Sequence, residues 1–419
     1  MRSVELLVVG GGASGMMAAI TAARSGSRVV LLEKMARPGK KLLATGNGRC
    51  NYTNERQEPA CYRSKCQQKA WDIIQSFDQK DTVAWFREIG ILPGNRQGYL
   101  YPASFQAAGL LHSLEREMGR LAIEVHREEP VERIERQKNY KGEWSRGYVV
   151  TTSRGKYLAG RVIVSTGGLA SPAHGSTGDG YGLVRGLSLK MVPVHPALCG
   201  LEVREVYAKK WGGNRVQGRV SLQVAGETLA EDTGEIQLVN QGISGIPVFQ
   251  VSRFAAQPLE EHKAVVLYLD SMPDWGKGEI LEELRRRVGW NSQQSLGDML
   301  EGMLPDKFAR ALIEESGHKI QDRAGNISDS SLKGLRDYIK GFPVKIHGMA
   351  GFEKAQVTAG GISLEEIDSH TMEVRKSPGL YLTGELLDVD GICGGYNLQW
   401  AWTTGYLAGK AASRKEELR

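Results

Sequence analysis

The sequence predicts an α/β protein: an open, mostly parallel Rossmann-like sheet whose chain is interrupted by an inserted region and then resumes. Three observations predict it. Residues 4–33 read as strand, glycine turn, helix, strand and acid. The character of the chain changes near residue 191 and again near 277. A late apolar run, Leu380-Tyr-Leu-Thr-Gly-Glu385, ends at a Gly-acid pair, as a returning strand of the first sheet would.

The first unit carries the clearest chemistry. A buried-strand run, Val4–Val9, leads into Gly10-x-Gly12-x-x-Gly15. Gly10 allows the tight turn, Gly12 lets a pyrophosphate approach the backbone, and Gly15 lets the helix pack close to the sheet. The helix N-terminus, with Ala13 and Ser14 in its first turn, offers free N–H groups and a positive dipole end to phosphates. A second apolar run, Val29–Leu32, ends in Glu33 and Lys34. Glu33 stands 18 residues after Gly15, where a carboxylate can accept ribose hydroxyls. An isolated glycine turn is common, but the complete strand–turn–helix–strand–acid unit is specific for a bound adenine dinucleotide. The acid disfavours a 2′-phosphate, so FAD or NAD(H) fits better than NADP(H).

A loop rich in glycine and basic residues follows: Arg37-Pro-Gly-Lys-Lys41, then Thr45-Gly-Asn-Gly-Arg-Cys-Asn-Tyr-Thr-Asn54. Residues 67–119 predict a mixed helical segment, with Trp71, Ile74, Phe77, Val83, Trp85 and Phe86 spaced for buried faces. Residues 122–164 alternate in the strand manner, a small meander ending at Ser165-Thr166-Gly167-Gly168. Residues 191–271 are β-rich and 277–340 are helical, with stripes such as Leu281, Leu284 and Val288. Returning strands follow at 344–358. The expected domains are 1–190 with 358–419, a β part at 191–272 with 341–357, and a helical part at 273–340.

Composition excludes several classes. The chain has 419 residues, 41% hydrophobic and 24% charged, as for an ordinary soluble globular protein. The net charge of +6 is scattered; the densest basic cluster, Arg285–Arg287, has acids at Glu279, Glu282 and Glu283. That reads as a solvated helix face, and no nucleic-acid partner is expected. The five cysteines include no CxxC pair, so neither a disulfide scaffold nor a metal site is expected. There is no cleavable signal and no apolar run near 18 residues, so no membrane contact is expected and the cytoplasm is the expected location. The oligomeric state is open.

Only one complete fingerprint is present, so one dinucleotide is held firmly and any second one visits. The C-terminal segment indicates which is held. Gly384 and Glu385 are delivered to a strand end, where Glu385 can bond ribityl hydroxyls that NAD lacks. Gly391-Ile-Cys-Gly-Gly395-Tyr-Asn-Leu398 then opens a helix to about Ala412. Its N-terminus, at Tyr396, Asn397 and Leu398, suits the flavin N1–C2=O edge, where reduction places negative charge. Non-covalent FAD is therefore the expected cofactor, with NADH or NADPH as a transient electron donor.

The chain resembles the BaiN-like or YhiN-like flavoproteins, also known as aminoacetone-oxidase-type NAD(FAD)-utilizing dehydrogenases. The matching segments are Gly10–Gly15, Gly39-Lys-Lys41, Thr45–Asn51, Tyr101-Pro102 with Ser104, Thr166–Gly168, Gly175–Gly180, Gly242–Gly245, Gln356–Gly361 and Thr383–Gln399. The resemblance implies a split FAD domain of the glutathione-reductase type, an inserted β-barrel-like domain and a small helical domain. It also implies that Lys41, Thr45 and Asp179 lie near the dinucleotide. One departure is that many members carry Thr-His where this chain has Val239-Asn240-Gln241 before Gly242. Asn cannot donate a proton near neutral pH as His can.

The Thr45–Asn54 loop is the expected flavin surround. Gly46 and Gly48 allow close approach, and Asn47 and Asn51 can donate hydrogen bonds. Arg49 can stabilise a reduced flavin or an enolate, or else serve as a structural ion pair. Cys50 is a structural or flavin-contact thiol before it is a redox one. Arg49, Asn51 and Tyr396 are the candidate catalytic residues; Tyr101 and Tyr396 also suit packing. Relatives are linked to reduction of oxo-bile-acid alkenes, so the resemblance implies reduction of a small or sterol-like substrate. An FAD amine oxidase of the aminoacetone type and a tRNA-modifying flavoprotein are the alternatives.

Overall fold

The computed structural model describes residues 1–138 and 144–414. It divides into two compact units: Met1–His195 with Val357–Arg419, and Pro196–Gln356.

In the first unit, β1 (Arg2–Val9), α1 (Ala13–Arg24) and β2 (Val29–Leu32) form the opening βαβ. After α2 (Ala107–Arg120) come β3 (Glu124–His126), β4 (Val131–Lys138), β5 (Trp144–Thr152) and β6 (Gly155–Val164), then the short α3 (Asp179–Leu183). Within the stretch expected to be helical, Pro93–Arg96 and Tyr99–Pro102 pair as an antiparallel hairpin. Its turn residues Gln97 and Gly98 both have positive φ, 54° and 88°, as a tight hairpin turn demands. The apolar spacing of the flanking helices masked so short a ladder.

The second unit is built on β7 (Asn214–Val224), β8 (Glu227–Val239), α4 (Ile246–Glu260), β9 (Val265–Asp270), α5 (Lys277–Trp290), α6 (Asp306–Glu315), α7 (Asp329–Lys340) and β10 (Phe342–Ile346). The end strands of its seven-stranded sheet, β10 and Gly348–Met349, are separated only by His347, so the sheet curls in barrel-like fashion. The helix α4 falls where alternation predicted strands. It starts after Gly245 at φ 102°, with Pro247 in its first turn, and buries Val248, Val251, Ser252 and Ala255 at helical spacing. Sheet and helices here share one hydrophobic cluster, which includes Leu267, Leu284, Phe308 and Phe342.

The chain then returns to the first unit as β11 (Val357–Ile362), β12 (Leu380–Leu382) and α8 (Tyr396–Ala412). The first sheet runs β3-β2-β1-β6-β5-β4, with β12 also on β6. The long β6 changes partner halfway. Residues 155–159 pair antiparallel with β5, and Val162–Val164 pair parallel with β12. Parallel register aligns Leu32, Val9, Val164 and Leu382 at one edge. The next residues, Glu33, Gly10, Ser165 and Thr383, extend the same ladder through N–H groups bonded to neighbouring carbonyls. Four separate chain segments thus turn off one edge side by side, the position where open α/β sheets bind ligands.

Candidate functional site

The fingerprint glycines divide by what surrounds them. Gly10 has φ 101°, and a Cβ there would stand 2.5 Å from the Ser165 carbonyl oxygen. A Cβ on Gly15 would stand 1.9 Å from the Gly10 carbonyl oxygen, so only glycine lets α1 approach the turn. At Gly12 the nearest atom is Ser165 O at 4.0 Å. That position faces open space at the start of α1, whose Gly12 N-cap supplies no side-chain acceptor. Uncapped N–H groups facing a gap are what a pyrophosphate requires. Ser14 packs its hydroxyl towards Gly384, where a Cβ would lie 2.7 Å away.

Glu33 is buried and already oriented. Its two oxygens accept the N–H groups of Gly11 at 2.8 Å and Met35 at 2.7 Å. Burial pushes its carboxyl up, against the pull of those donors. Each oxygen keeps a lone pair for a sugar hydroxyl. Lys34 reaches Thr177 and Asp179. Burial pushes Asp179 up, but the bonds from Lys34 and Thr177 outweigh it and hold the group below the usual range.

Beside them, Gly167 and Gly168 leave β6 at Thr166, whose Oγ1 is buried without a partner. A Cβ on Gly168 would meet Thr358 Oγ1 at 2.4 Å and Glu385 Oε1 at 3.1 Å. Glu385 has protein partners on both oxygens: Lys41 Nζ at 2.6 Å and the Thr358 N–H at 2.9 Å. The Thr358 hydroxyl in turn accepts the N–H groups of Leu169 and Ala170.

The Thr45–Asn54 loop is unlike an ordinary turn. Gly46, Asn47, Gly48 and Cys50 all have positive φ, from 53° to 79°. For Asn47 and Cys50 that costs strain, which the surroundings must hold. They do so from α8. Trp402 Nε1 donates to Tyr52 O at 2.9 Å, Thr53 Oγ1 donates to Gln399 Oε1 at 2.6 Å, and Asn54 Nδ2 donates to Gly394 O at 3.0 Å. Cys50 is fully buried, and burial pushes its thiol up to about 12, which makes it a packed, protonated group. Asn51 is buried with Oδ1 unpartnered. That oxygen lies 2.8 Å from where a Gly395 Cβ would stand, at the N-cap of α8. Arg49 is exposed and unpaired among the described residues. Tyr101 rests on the loop, its ring 3.6 Å from the Cβ position of Gly46.

Tyr396 and its neighbours differ from these. The Tyr396 ring is buried edge-on against Tyr62 at 5.8 Å, and burial with the nearby Cys61 keeps its phenol high. Asn397 exchanges both side-chain bonds with Gly391, at 2.8 and 2.9 Å, while Leu398 is half-buried. Asn240 lies in the exposed turn between β8 and Gly242. The structure therefore brings the fingerprint, Glu33, Thr166, Lys41 and Glu385 to one sheet edge, and joins Asn51 to the start of α8. The residues that sequence reasoning missed are Thr358, Gln399 and Trp402. Thr358 lies inside the Gln356–Gly361 segment, but nothing local to Gln399 or Trp402 pointed to a loop some 350 positions away.

The donor set suits an FAD-like dinucleotide. It has an open Gly12, two helix N-termini without side-chain caps, and buried orphan acceptors at Asn51 and Thr166. Among the described residues, no group of three His, Cys, Asp or Glu could hold a metal, and no helix is long and apolar enough to cross a membrane.

A family model described as the HI0933-like protein Rossmann domain matches residues 4–411. The chain belongs to that family. It is similar to the 3-dehydro-bile acid delta(4,6)-reductase of Clostridium scindens, with 39% identity over 97% of this chain and 98% of the relative. It is also similar to the ribosomal RNA dihydrouridine synthase of Haemophilus influenzae, with 29% identity over 98% and 99%. Among solved structures, 3-ketosteroid delta1-dehydrogenase from Sterolibacterium denitrificans matches with a TM-score of 0.55 at 12% identity, covering 99% of this chain and all of the other. That likeness supports the fold.

Proposed function

We propose that the chain is an FAD-dependent oxidoreductase that uses NAD(P)H to reduce a carbon–carbon double bond conjugated to a carbonyl. The substrate is a small or sterol-like molecule. The observation that carries the reading is that one strained loop presents exposed Arg49 and buried Asn51, with Asn51 beside the uncapped N-terminus of α8. The near full-length similarity to a bile acid reductase supports it. The two relatives' names describe a common bond type. A 3-oxo delta(4) steroid is an enone, and dihydrouridine is uridine reduced across the double bond next to a carbonyl. The higher identity favours the sterol-like class.

When bound, FAD supplies hydride chemistry. The chain's own residues do the rest. Gly12 and the first turn of α1 take the pyrophosphate, and Glu33 takes the adenosine ribose. Lys41 and Glu385 would hold the sugar chain when FAD is bound. The first turn of α8 and Arg49 place positive potential where an oxyanion develops on the substrate. Asn51 orients by hydrogen bonding. Cys50 and Tyr396 are assigned to packing, because Cys50 is fully buried and the Tyr396 ring is packed edge-on against Tyr62. An enzyme drawing on NAD(P)H with free cysteines belongs in the cytoplasm.

The test is anaerobic stopped-flow absorbance of the purified yellow protein with NADH, NADPH and aminoacetone in separate mixes. Bleaching near 450 nm by a nicotinamide, reversed by a 3-oxo-4-ene steroid acid, is the expected outcome. Bleaching by aminoacetone alone makes the protein an amine oxidase. Reoxidation by a uridine-containing RNA and by no steroid moves it to the RNA-reductase class.

A further inference from the structure

Two hydroxyls at the first sheet's ligand edge are buried with no partner: Thr166 Oγ1 and Tyr181 OH. Thr166 follows the last strand residues of β6 and was expected at the cofactor. Tyr181 was not; it lies on α3, just after Asp179. Gly180 joins the two places. A Cβ on Gly180 would stand 2.1 Å from Thr166 Oγ1 and 2.8 Å from Leu386 Cδ1, so α3 is wedged between the end of β6 and the segment after Glu385. Only glycine permits that approach. Glu385 and Asp388, on that same segment, act electrostatically on the Tyr181 phenol and, after burial, push it further towards the neutral form. A neutral phenol here is a fixed donor.

A buried O–H without an acceptor costs free energy, and native chains rarely leave one unsatisfied. Two such groups meet at Gly180, whose other neighbour, Leu386, follows the carboxylate that the FAD reading assigns to the sugar chain. Packing explains the Tyr181 ring but not the placement of its oxygen, which a phenylalanine would fill without penalty. We infer that Tyr181 is a positioning residue of the dinucleotide site, its hydroxyl donating to an oxygen of the bound cofactor beside Glu385. The inference rests on the FAD reading and extends it to a residue outside both glycine motifs. It also gives α3 a role: the helix delivers Asp179 to Lys34 with one residue and places Tyr181 within the field of Glu385 with another.

The experiment compares Tyr181→Phe with the wild-type full-length chain, each stripped of flavin and titrated with FAD by fluorescence quenching and thermal shift. The expected result is FAD binding weakened by about tenfold, the scale of one ordinary hydrogen bond. The flavin-free Tm should be unchanged or slightly higher, because an orphan donor has been removed. The FAD-induced rise in Tm should shrink, and the visible band of the bound flavin should shift. Equal FAD affinity with an unchanged spectrum overturns the inference, since a buried water then satisfies the phenol. A lower flavin-free Tm with unchanged affinity also overturns it, by making the role one of packing. A wild-type chain that binds no FAD overturns the cofactor reading instead.

Discussion

The fingerprint turn, Gly10–Gly15, and the Thr45–Asn54 loop are both glycine-rich, yet they are held by different means. The fingerprint is fixed by its own backbone. Two of its glycines would drive a Cβ into carbonyl oxygens of the same turn or of adjacent β6, and the third faces empty space. The Thr45–Asn54 loop closes its first half with its own backbone bonds and fixes its second half, Tyr52–Asn54, to distant residues. It places Asn47 and Cys50 at positive φ and depends on Gln399, Trp402 and Gly394 for bonds. One motif is local physics and can be read from spacing. The other is completed by tertiary bonds, which α8 supplies to its second half.

The strongest way to break this contrast is inside the fingerprint itself. Gly15→Ala puts a methyl 1.9 Å from the Gly10 carbonyl oxygen and should cost more than about 3 kcal/mol. Little soluble folded protein is expected by circular dichroism. Gly12→Ala meets no protein atom closer than 4.0 Å. It should keep the flavin-free Tm within a few degrees while FAD affinity falls at least about tenfold. If both variants unfold, Gly12 is structural and the pyrophosphate assignment is wrong.

Lys41→Met leaves the Glu385 carboxylate with one partner in a partly buried setting. Discounted for exposure, the loss should be about 1–2 kcal/mol in stability, with weaker FAD binding. The double variant with Glu385→Gln should recover part of it. An additive double variant would show that the pair is not coupled.

Trp402→Phe removes the donor to the Tyr52 carbonyl and should cost about 1–2 kcal/mol. Its distinctive sign is faster amide exchange in residues 45–54 with exchange in residues 10–24 unchanged. Faster exchange in both regions would mean that the two motifs form one cooperative unit.

The smallest effect concerns acid. Bonds from Arg120 outweigh burial and, with Arg24, hold the Glu117 carboxyl at about 2. Arg24 ends α1, so this group anchors the fingerprint helix. A depressed carboxylate contributes stability that is complete above its unfolded pKa, near 4.3, and that disappears as pH falls through about 2. Glu117→Gln should therefore lower Tm at pH 7 and flatten its fall between about pH 5 and pH 2. A parallel fall in variant and wild type would assign the acid sensitivity to other carboxylates.

The α/β class, the split sheet and the family were legible because strand periodicity, the glycine turn and the returning Leu380–Glu385 run are local signals. The hairpin at 93–102 was not, because its four-residue strands are too short to show a period between helical segments; nor was the helix α4, which lies in an apolar stretch where short strands and buried helices have similar composition. Glu33 and the fingerprint were placed correctly at the sheet edge by spacing. The tertiary structure then added what spacing could not: Lys41, Thr358 and Glu385 meet although up to 344 positions separate them.

By itself the sequence determined that a dinucleotide fingerprint opens the chain and that the same sheet is re-entered near its end. Those facts depend on neighbours a few residues apart. Only the tertiary structure decided which glycine is left open for a ligand, which carboxylate is already paired, and why a strained loop persists. The physical reason is that each depends on atoms brought in from distant segments, and a buried polar group is judged by its partners, which a linear sequence does not name.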